Sequence, residues 1–282
     1  MAKASWFFTK HPVLPGFTLS FGLSVTFLSL VILLPLSALF LYTSEMSWPQ
    51  FWRAVSDPRV VASYWVTASA ALYSTVVVTF IGLLLAWILS RYDFPGRRLI
   101  DALVDLPVAL PTAVAGLTLA TLLSPGGWVG QFFAGYGIKI AYAYPGLVIA
   151  MIFTSLPFIV RSVQPVLQDF GPEYEEAATT LGATRIQIFC RVIFPSLIPA
   201  LVTGAAQAFI RSLGEFGAVV LIAGNMPFKT EVTSLMIFVR LSEYDYQAAS
   251  AIATVVLAAS LTLLFTLQVL QGRFLSWQRR GA

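Results

Sequence analysis

The sequence predicts an all-α integral membrane protein with six transmembrane helices. Three observations lead there. Of the 282 residues only 11% are charged and 58% are hydrophobic, whereas a soluble domain carries about 25% charged residues. The apolar residues are gathered into runs close to the ~20 residues with which a helix crosses a bilayer. Phe and Trp, 22 and 7 residues, suit a surface that meets lipid and its interfaces.

The first run covers residues 17–42. It is too long for a signal-peptide core, and no small-x-small cleavage site follows it, so it is helix one, with a kink expected at Pro35. Residues 44–61 hold Trp48, Trp52 and Asp57-Pro58 and are expected to form an interfacial loop. Helix two is expected over 62–90, closed by Arg91, Arg97 and Arg98 around the turn-forming Tyr92-Asp93-Phe94-Pro95-Gly96. Helix three, 103–123, opens with Leu106-Pro107 and Leu110-Pro111. Prolines in a membrane helix free backbone carbonyls that must find other partners, so Pro107 and Pro111 admit two readings, an irregular pathway-lining segment or a kinked packing helix. Residues 124–144, rich in Gly and aromatics, read as an outer loop. Helix four follows over 145–164, a polar passage over 171–199, and helix five over 196–223. Residues 225–246 form a third outer loop, whose apolar 232–241 portion is expected to lie against the protein or the interface. Helix six covers 247–270. The division expected is an N-terminal segment with helix one and its loop (1–61), a transmembrane core (62–273) and a short tail (274–282).

Basic residues orient the spans. Lys3, Lys10, Arg91, Arg97, Arg98, Arg161, Arg185, Arg191, Arg273, Arg279 and Arg280 fall at one end, against Arg53, Arg59, Lys139, Lys229 and Arg240 at the other. The richer set is expected in the cytoplasm. That puts both termini and the polar passage inside, in a bacterial-type inner membrane. The pI near 9.3 is explained by these flanks rather than by nucleic-acid binding. One cysteine, Cys190, and one histidine, His11, supply no disulfide, zinc cluster or nucleophile pair, and there is no GxxxxGK[ST] phosphate loop. No cofactor is expected in this chain, and an enzyme is disfavoured.

The polar passage has a shape of its own. Gly171-Pro172 opens a helix with proline at its first position. Glu173, Glu175 and Glu176 sit where the helix dipole favours negative charge. Ala177-Ala178 present a small face, Leu181 is the last apolar residue, and Gly182 can take the left-handed conformation that stops a helix. A second short helix over 184–192 carries Ile186, Phe189, Cys190 and Ile193 at helical spacing, and Pro195 marks the entry to helix five. A bare connector is normally shorter and less shaped. In helix five, Arg211 and Glu215 are four residues apart on one face. Counted from Ser196, the pair lies about 22 Å along the axis, beyond the midplane toward the outer side. It is read either as a gate contacting an anion or as a salt bridge that fixes packing.

Glu176-Ala177-Ala178, three residues, Gly182, nine residues, then Val192-Ile193-Phe194-Pro195 resembles the EAA motif of permease subunits in ATP-binding-cassette importers, EAA-x3-G-x9-I-x-L-P. Val and Phe replace two apolar positions conservatively. Asp105-Leu106-Pro107 through Gly116, and Arg211 through Gly217, are similar to sulfate and molybdate importer permeases. Residues 14–20 and 229–240 extend the likeness to the T subunit of sulfate/thiosulfate permeases. The resemblance implies a type I importer permease fold whose polar passage is a coupling helix. It implies two copies of a cytoplasmic ATPase holding ATP and Mg, a homologous second permease subunit (the W type), and a periplasmic sulfate/thiosulfate-binding protein. Cargo would be sulfate and thiosulfate. A molybdate or tungstate permease of the same fold is the nearest alternative. An ion-coupled secondary anion transporter is a further one, disfavoured because neither repeats nor midplane coupling acids are seen.

Overall fold

The computed structural model describes residues 17–278. Residues 14–16, Lys3, Lys10, His11, Arg279 and Arg280 lie outside it, as does the end of the tail. Every regular element among the described residues is helical. Five helices are long and apolar enough to cross a membrane, or six when one sharply bent pair counts as a single span.

Helix one is α1 (Phe17–Leu28) and α2 (Leu34–Ser44), joined by a π turn over Ser29–Leu33. The widened turn ends just before Pro35, whose ring would press on the carbonyl four residues back. Here a π turn absorbs the expected kink. The interfacial loop contains α3 (Trp48–Val55), started by a reciprocal Ser47–Gln50 cap. Asp57 then caps α4 (Pro58–Arg91) by accepting from the Arg59 and Val60 amides at 2.9 and 3.4 Å. The second span thus starts earlier than residue 62 and outlasts the bilayer core.

The expected single helix three is corrected. It is α5 (Arg97–Ala109) and α6 (Thr112–Leu123), bent by 111°. Proline forces the residue before it out of helical geometry, and Leu110, before Pro111, is extended with φ −78° and ψ 136°. Pro107 stays inside α5. The loop after α6 holds α7 (Gly130–Ala134), and α8 (Tyr144–Asp169) runs longer than expected. The polar passage gives α9 (Pro172–Thr180) and α10 (Arg185–Ile188). A second correction follows. α10 is not separate from helix five, because a π turn over Phe189–Ile193 leads without a break into α11 (Phe194–Leu213). Pro195 therefore lies inside a continuous rod, and its missing donor is accommodated as at Pro35. Helix five also stops early. Gly214–Phe216 breaks it before α12 (Gly217–Ile222). The third outer loop contains α13 (Thr233–Ser242), packed on α4 and on α14 (Tyr246–Gln278) as its apolar character suggested.

The core is the contact of α4, α8 and α11. Within lipid no hydrophobic drive pulls helices together, so close backbone approach through small residues supplies the packing. A Cβ on Gly82 would stand 2.6 Å from Ile159, and one on Gly204 would stand 3.1 Å from the same helix. Ala70, Ala71, Ala86, Ala150 and Ala208 fill the remaining seams, all buried. Helix one, by contrast, has no buried residue in its apolar window and touches the rest mainly through α14.

Candidate functional site

Two places carry the residues singled out by sequence, a platform at one end of the bundle and a pair of broken helices in its middle. The platform is α9 and α10. Gly171 is extended, Pro172 takes the first helical turn, and Glu173 and Glu175 lie in it. The stop works as its glycine implied. Gly182 has φ +80°, its amide donates to the Thr179 carbonyl, and the Ala183 amide reaches back to Ala178 at 3.1 Å. A reciprocal Thr184–Gln187 cap then starts α10.

This turn splits the passage into an anchored and a free face. Ala178, Ala183 and Phe189 pack into the core beneath, with Ile188 and Ile193 buried in it. Glu175 pairs with Arg91 at the end of α4 at 2.8 Å. Arg91 in turn lies over Trp87, 5.6 Å from its ring centre, and Trp87 meets Phe189 edge-on. Glu176 and Ala177 are exposed among the described residues. Leu181 is 88% exposed and Ile186 is 76% exposed. These two side chains give the otherwise polar platform an apolar component that another surface could cover. Pro195 is exposed and lies beyond the π turn, at the second position of α11.

The middle site is built from the two breaks. α6 and α12 pack side by side. A Cβ on Gly217 would collide with Thr112, and one on Gly116 with the Ala218 backbone. The Pro111 bend and the Gly214–Phe216 break therefore adjoin. Glu215 organises the second break. It is 1% exposed, its Oε1 accepts from the Ala218 amide at 3.0 Å to cap α12, and its Oε2 meets Arg211 Nη1 at 2.6 Å. Its carbonyl accepts from the Ser234 hydroxyl at 2.9 Å, tying the break to α13. Arg211 stays 33% exposed.

Ser212 Oγ lies 3.3 Å from Ser74 Oγ. Ser74 stands midway along α4, about 24–26 Å from each end at 1.5 Å per residue. The pair is thus level with the middle of α4, at the end of the longer rod Arg185–Leu213.

Sequence reasoning missed a third cluster. Arg161 on α8 donates to Asp101 Oδ1 at 2.7 Å, to both oxygens of Asp105 at 2.9 and 2.6 Å, and to Gln164 at 2.6 Å. Asp101 and Asp105 are spaced by four on α5, so they share a face. That spacing, opposite a lone arginine in an apolar helix, was the available signal. At the opposite end from the platform, Arg59 grips the buried Glu231 through two bonds of 2.8 and 2.7 Å. Among the described residues no three His, Cys, Asp or Glu side chains converge to hold a metal.

Known proteins resemble this chain along nearly its whole length. Residues 78–280 match the family described as binding-protein-dependent transport system inner membrane component. The sulfate transport system permease protein CysT of Salmonella typhimurium is 63% identical over 266 residues, covering 94% of this chain and 96% of that protein. The protein of the same name from Escherichia coli K12 is 62% identical over the same length. That of a Synechocystis strain is 49% identical over 259 residues, 92% of this chain and 89% of that protein. Among solved structures, a bacterial ABC transporter that imports the acidic polysaccharide alginate aligns with a TM-score of 0.76 at 18% identity, over 92% of this chain and 96% of that one. The MetNI methionine transporter aligns at 0.56 and 22% identity, over 81% and 97%. The fold is that of type I ABC importer permeases.

Proposed function

The chain belongs to the family of binding-protein-dependent transport system inner membrane components, and from that premise we propose that it is the permease subunit of an ATP-driven sulfate and thiosulfate importer. It is a multi-pass membrane component of an inner membrane transport system, and it is not an enzyme. ATP hydrolysis belongs to a partner, which in this reading is a pair of ATPase subunits holding ATP and Mg on the cytoplasmic side. Both termini and the platform face that side. A second, W-type permease subunit completes the anion path, and a periplasmic sulfate/thiosulfate-binding protein delivers the cargo.

The observation that carries this reading is the free face of the platform. Glu176, Ala177, Leu181 and Gly182 form a stiff, outward-facing turn anchored beneath by Ala178, and the exposed aliphatics Leu181 and Ile186 suit a groove on an ATPase. Motion applied there has two routes into the membrane. One is the Glu175–Arg91 pair into α4. The other is the unbroken helix Arg185–Leu213, 29 residues long and so about 42 Å, which passes through Pro195 and ends beside Arg211. Glu215 and the bend at Pro111 lie where that rod stops, and Pro107 sits in the helix that leads into the bend. We assign these four residues to the gate, which opens and closes by tilting α6 and α12 together.

Uptake of labelled sulfate in a deletion strain complemented with this chain tests the proposal, together with sulfate-stimulated ATPase of the complex purified with its partners. Restored uptake and stimulation are expected. Stimulation by molybdate but not sulfate overturns the cargo, and sulfate uptake by this chain alone in liposomes overturns the ATP-driven mechanism.

A further inference from the structure

The face of α11 that leads to the gate carries polar side chains at successive turns. Thr203, Gln207 and Arg211 succeed one another at intervals of four residues, so they form one stripe. Thr203 bonds its own helix, donating to the Pro199 carbonyl at 2.8 Å. Gln207 is exposed, and its amide has no hydrogen-bond partner among the described residues. Among the described residues the guanidinium of Arg211 meets only Glu215, which leaves most of its five N–H donors without a partner there. Glu215 itself is buried behind the arginine.

Depth makes this arrangement informative. Gln207 lies five residues before Ser212, which touches Ser74 at the middle of α4. It therefore sits about 7–8 Å toward the platform from mid-span. On α4, Val76, Val77, Phe80 and Ile81 are exposed near this level and are all apolar, as contact with lipid tails requires. An amide and a guanidinium with open donors are costly in hydrocarbon and occur instead on a protein interior or a water-filled cavity.

We infer that Gln207 and Arg211 form an oxyanion-contacting rung in the transport path, with Glu215 as a positioning residue that holds the guanidinium in place. Side chains one helical turn apart, about 5–6 Å at Cβ, lie within reach of a single tetrahedral oxyanion that accepts from both. The ligand class is a hydrated divalent oxyanion in transit. The pairing of Arg211 with Glu215 keeps the rung near electrical neutrality, so the anion is held by directed donors rather than by a net charge. Weak holding is what passage requires. The inference rests on the importer reading and adds Gln207 to it.

Thiol accessibility tests it without relying on transport. In a Cys190→Ser background, which removes the only cysteine of the chain, a Gln207→Cys variant is compared in the assembled complex with Phe80→Cys. Phe80 is 68% exposed and lies six residues beyond Ser74, hence at nearly the same depth. Expected is labelling of Gln207→Cys by a small water-soluble, negatively charged thiol reagent at least about tenfold faster than Phe80→Cys, slowed by added sulfate. Equal, slow labelling of both variants overturns the inference, since position 207 would then face lipid or a packed partner. Labelling that sulfate does not slow removes the anion contact. In parallel, Gln207→Leu is expected to lose about tenfold or more in sulfate uptake, the usual effect of deleting a hydrogen bond to a charged group, with Gln207→Asn partly restoring it. Co-purification with the ATPase should be unchanged in both. Unchanged uptake by Gln207→Leu also refutes the rung. Failure of the unmodified complex to take up sulfate refutes the importer reading itself, a result that the labelling comparison does not depend on.

Discussion

Gly182→Val isolates the platform's turn from everything else in the molecule. Gly182 has φ +80° and no heavy atom within 4 Å of the position a Cβ would occupy. A side chain there meets no neighbour, so the only penalty is conformational. A left-handed backbone costs an ordinary L residue roughly 1–2 kcal/mol, and a β-branched one lies toward or past the upper end. At 1.4 kcal/mol per factor of ten, a penalty of about 2 kcal/mol lowers the population of the native turn roughly thirtyfold against a competing path for the chain. Leu181 and Ile186, on either side of the turn, then no longer project together. Insertion and yield should be normal, because Ala178 and Ile188 still hold the segments to the core. The assay is sulfate uptake set against ATPase rate in the purified complex, with Gly182→Asn and Gly182→Ala alongside. Asparagine tolerates the left-handed region and should transport close to normally. Alanine should fall between. If Gly182→Val couples hydrolysis to transport as well as the unmodified chain, the turn is not what transmits force and the mechanism given for the platform is wrong.

Three other perturbations read separate parts of the structure. Gly82→Val should lower the melting temperature of the purified complex, through overpacking of about 1–3 kcal/mol against Ile159. Ile159→Ala on the same chain should recover part of that loss, and additivity of the two would show that the helices do not touch as described. Arg161→Met leaves Asp101 and Asp105 facing each other without their cation. Because all three side chains are a third to a half exposed, the loss should be only about 1–2 kcal/mol in thermal unfolding, and adding Asp101→Asn with Asp105→Asn should reverse most of it. Arg211→Ala combined with Glu215→Ala separates gate from strut. A folded complex with abolished uptake supports the gate, whereas loss of the folded complex assigns the pair to packing.

Glu215 shows why position in a sequence is insufficient for such a choice. Spacing placed it on the Arg211 face, but only the fold reveals that its second oxygen caps α12 and that its backbone holds Ser234. Arg161 is a parallel case. Read along the chain it is one more basic flank, whereas in space it answers two carboxylates on α5. Gly182 is the opposite kind of residue, since its role follows from a requirement of the backbone that no distant contact alters.

The sequence by itself determined the membrane class, the approximate spans and the platform, because hydrophobic run length, helix caps and a left-handed glycine are local properties. It also carried the likeness that leads to an importer. The tertiary structure alone decided that the Arg211–Glu215 pair stands beside the middle of α4, that helices three and five are each broken, and that the two breaks meet. Those facts depend on which helices touch. Contact in a bilayer is governed by the close fit of small residues such as Gly82, Gly116 and Gly217 against partners far away in the chain, and hydropathy does not record that fit.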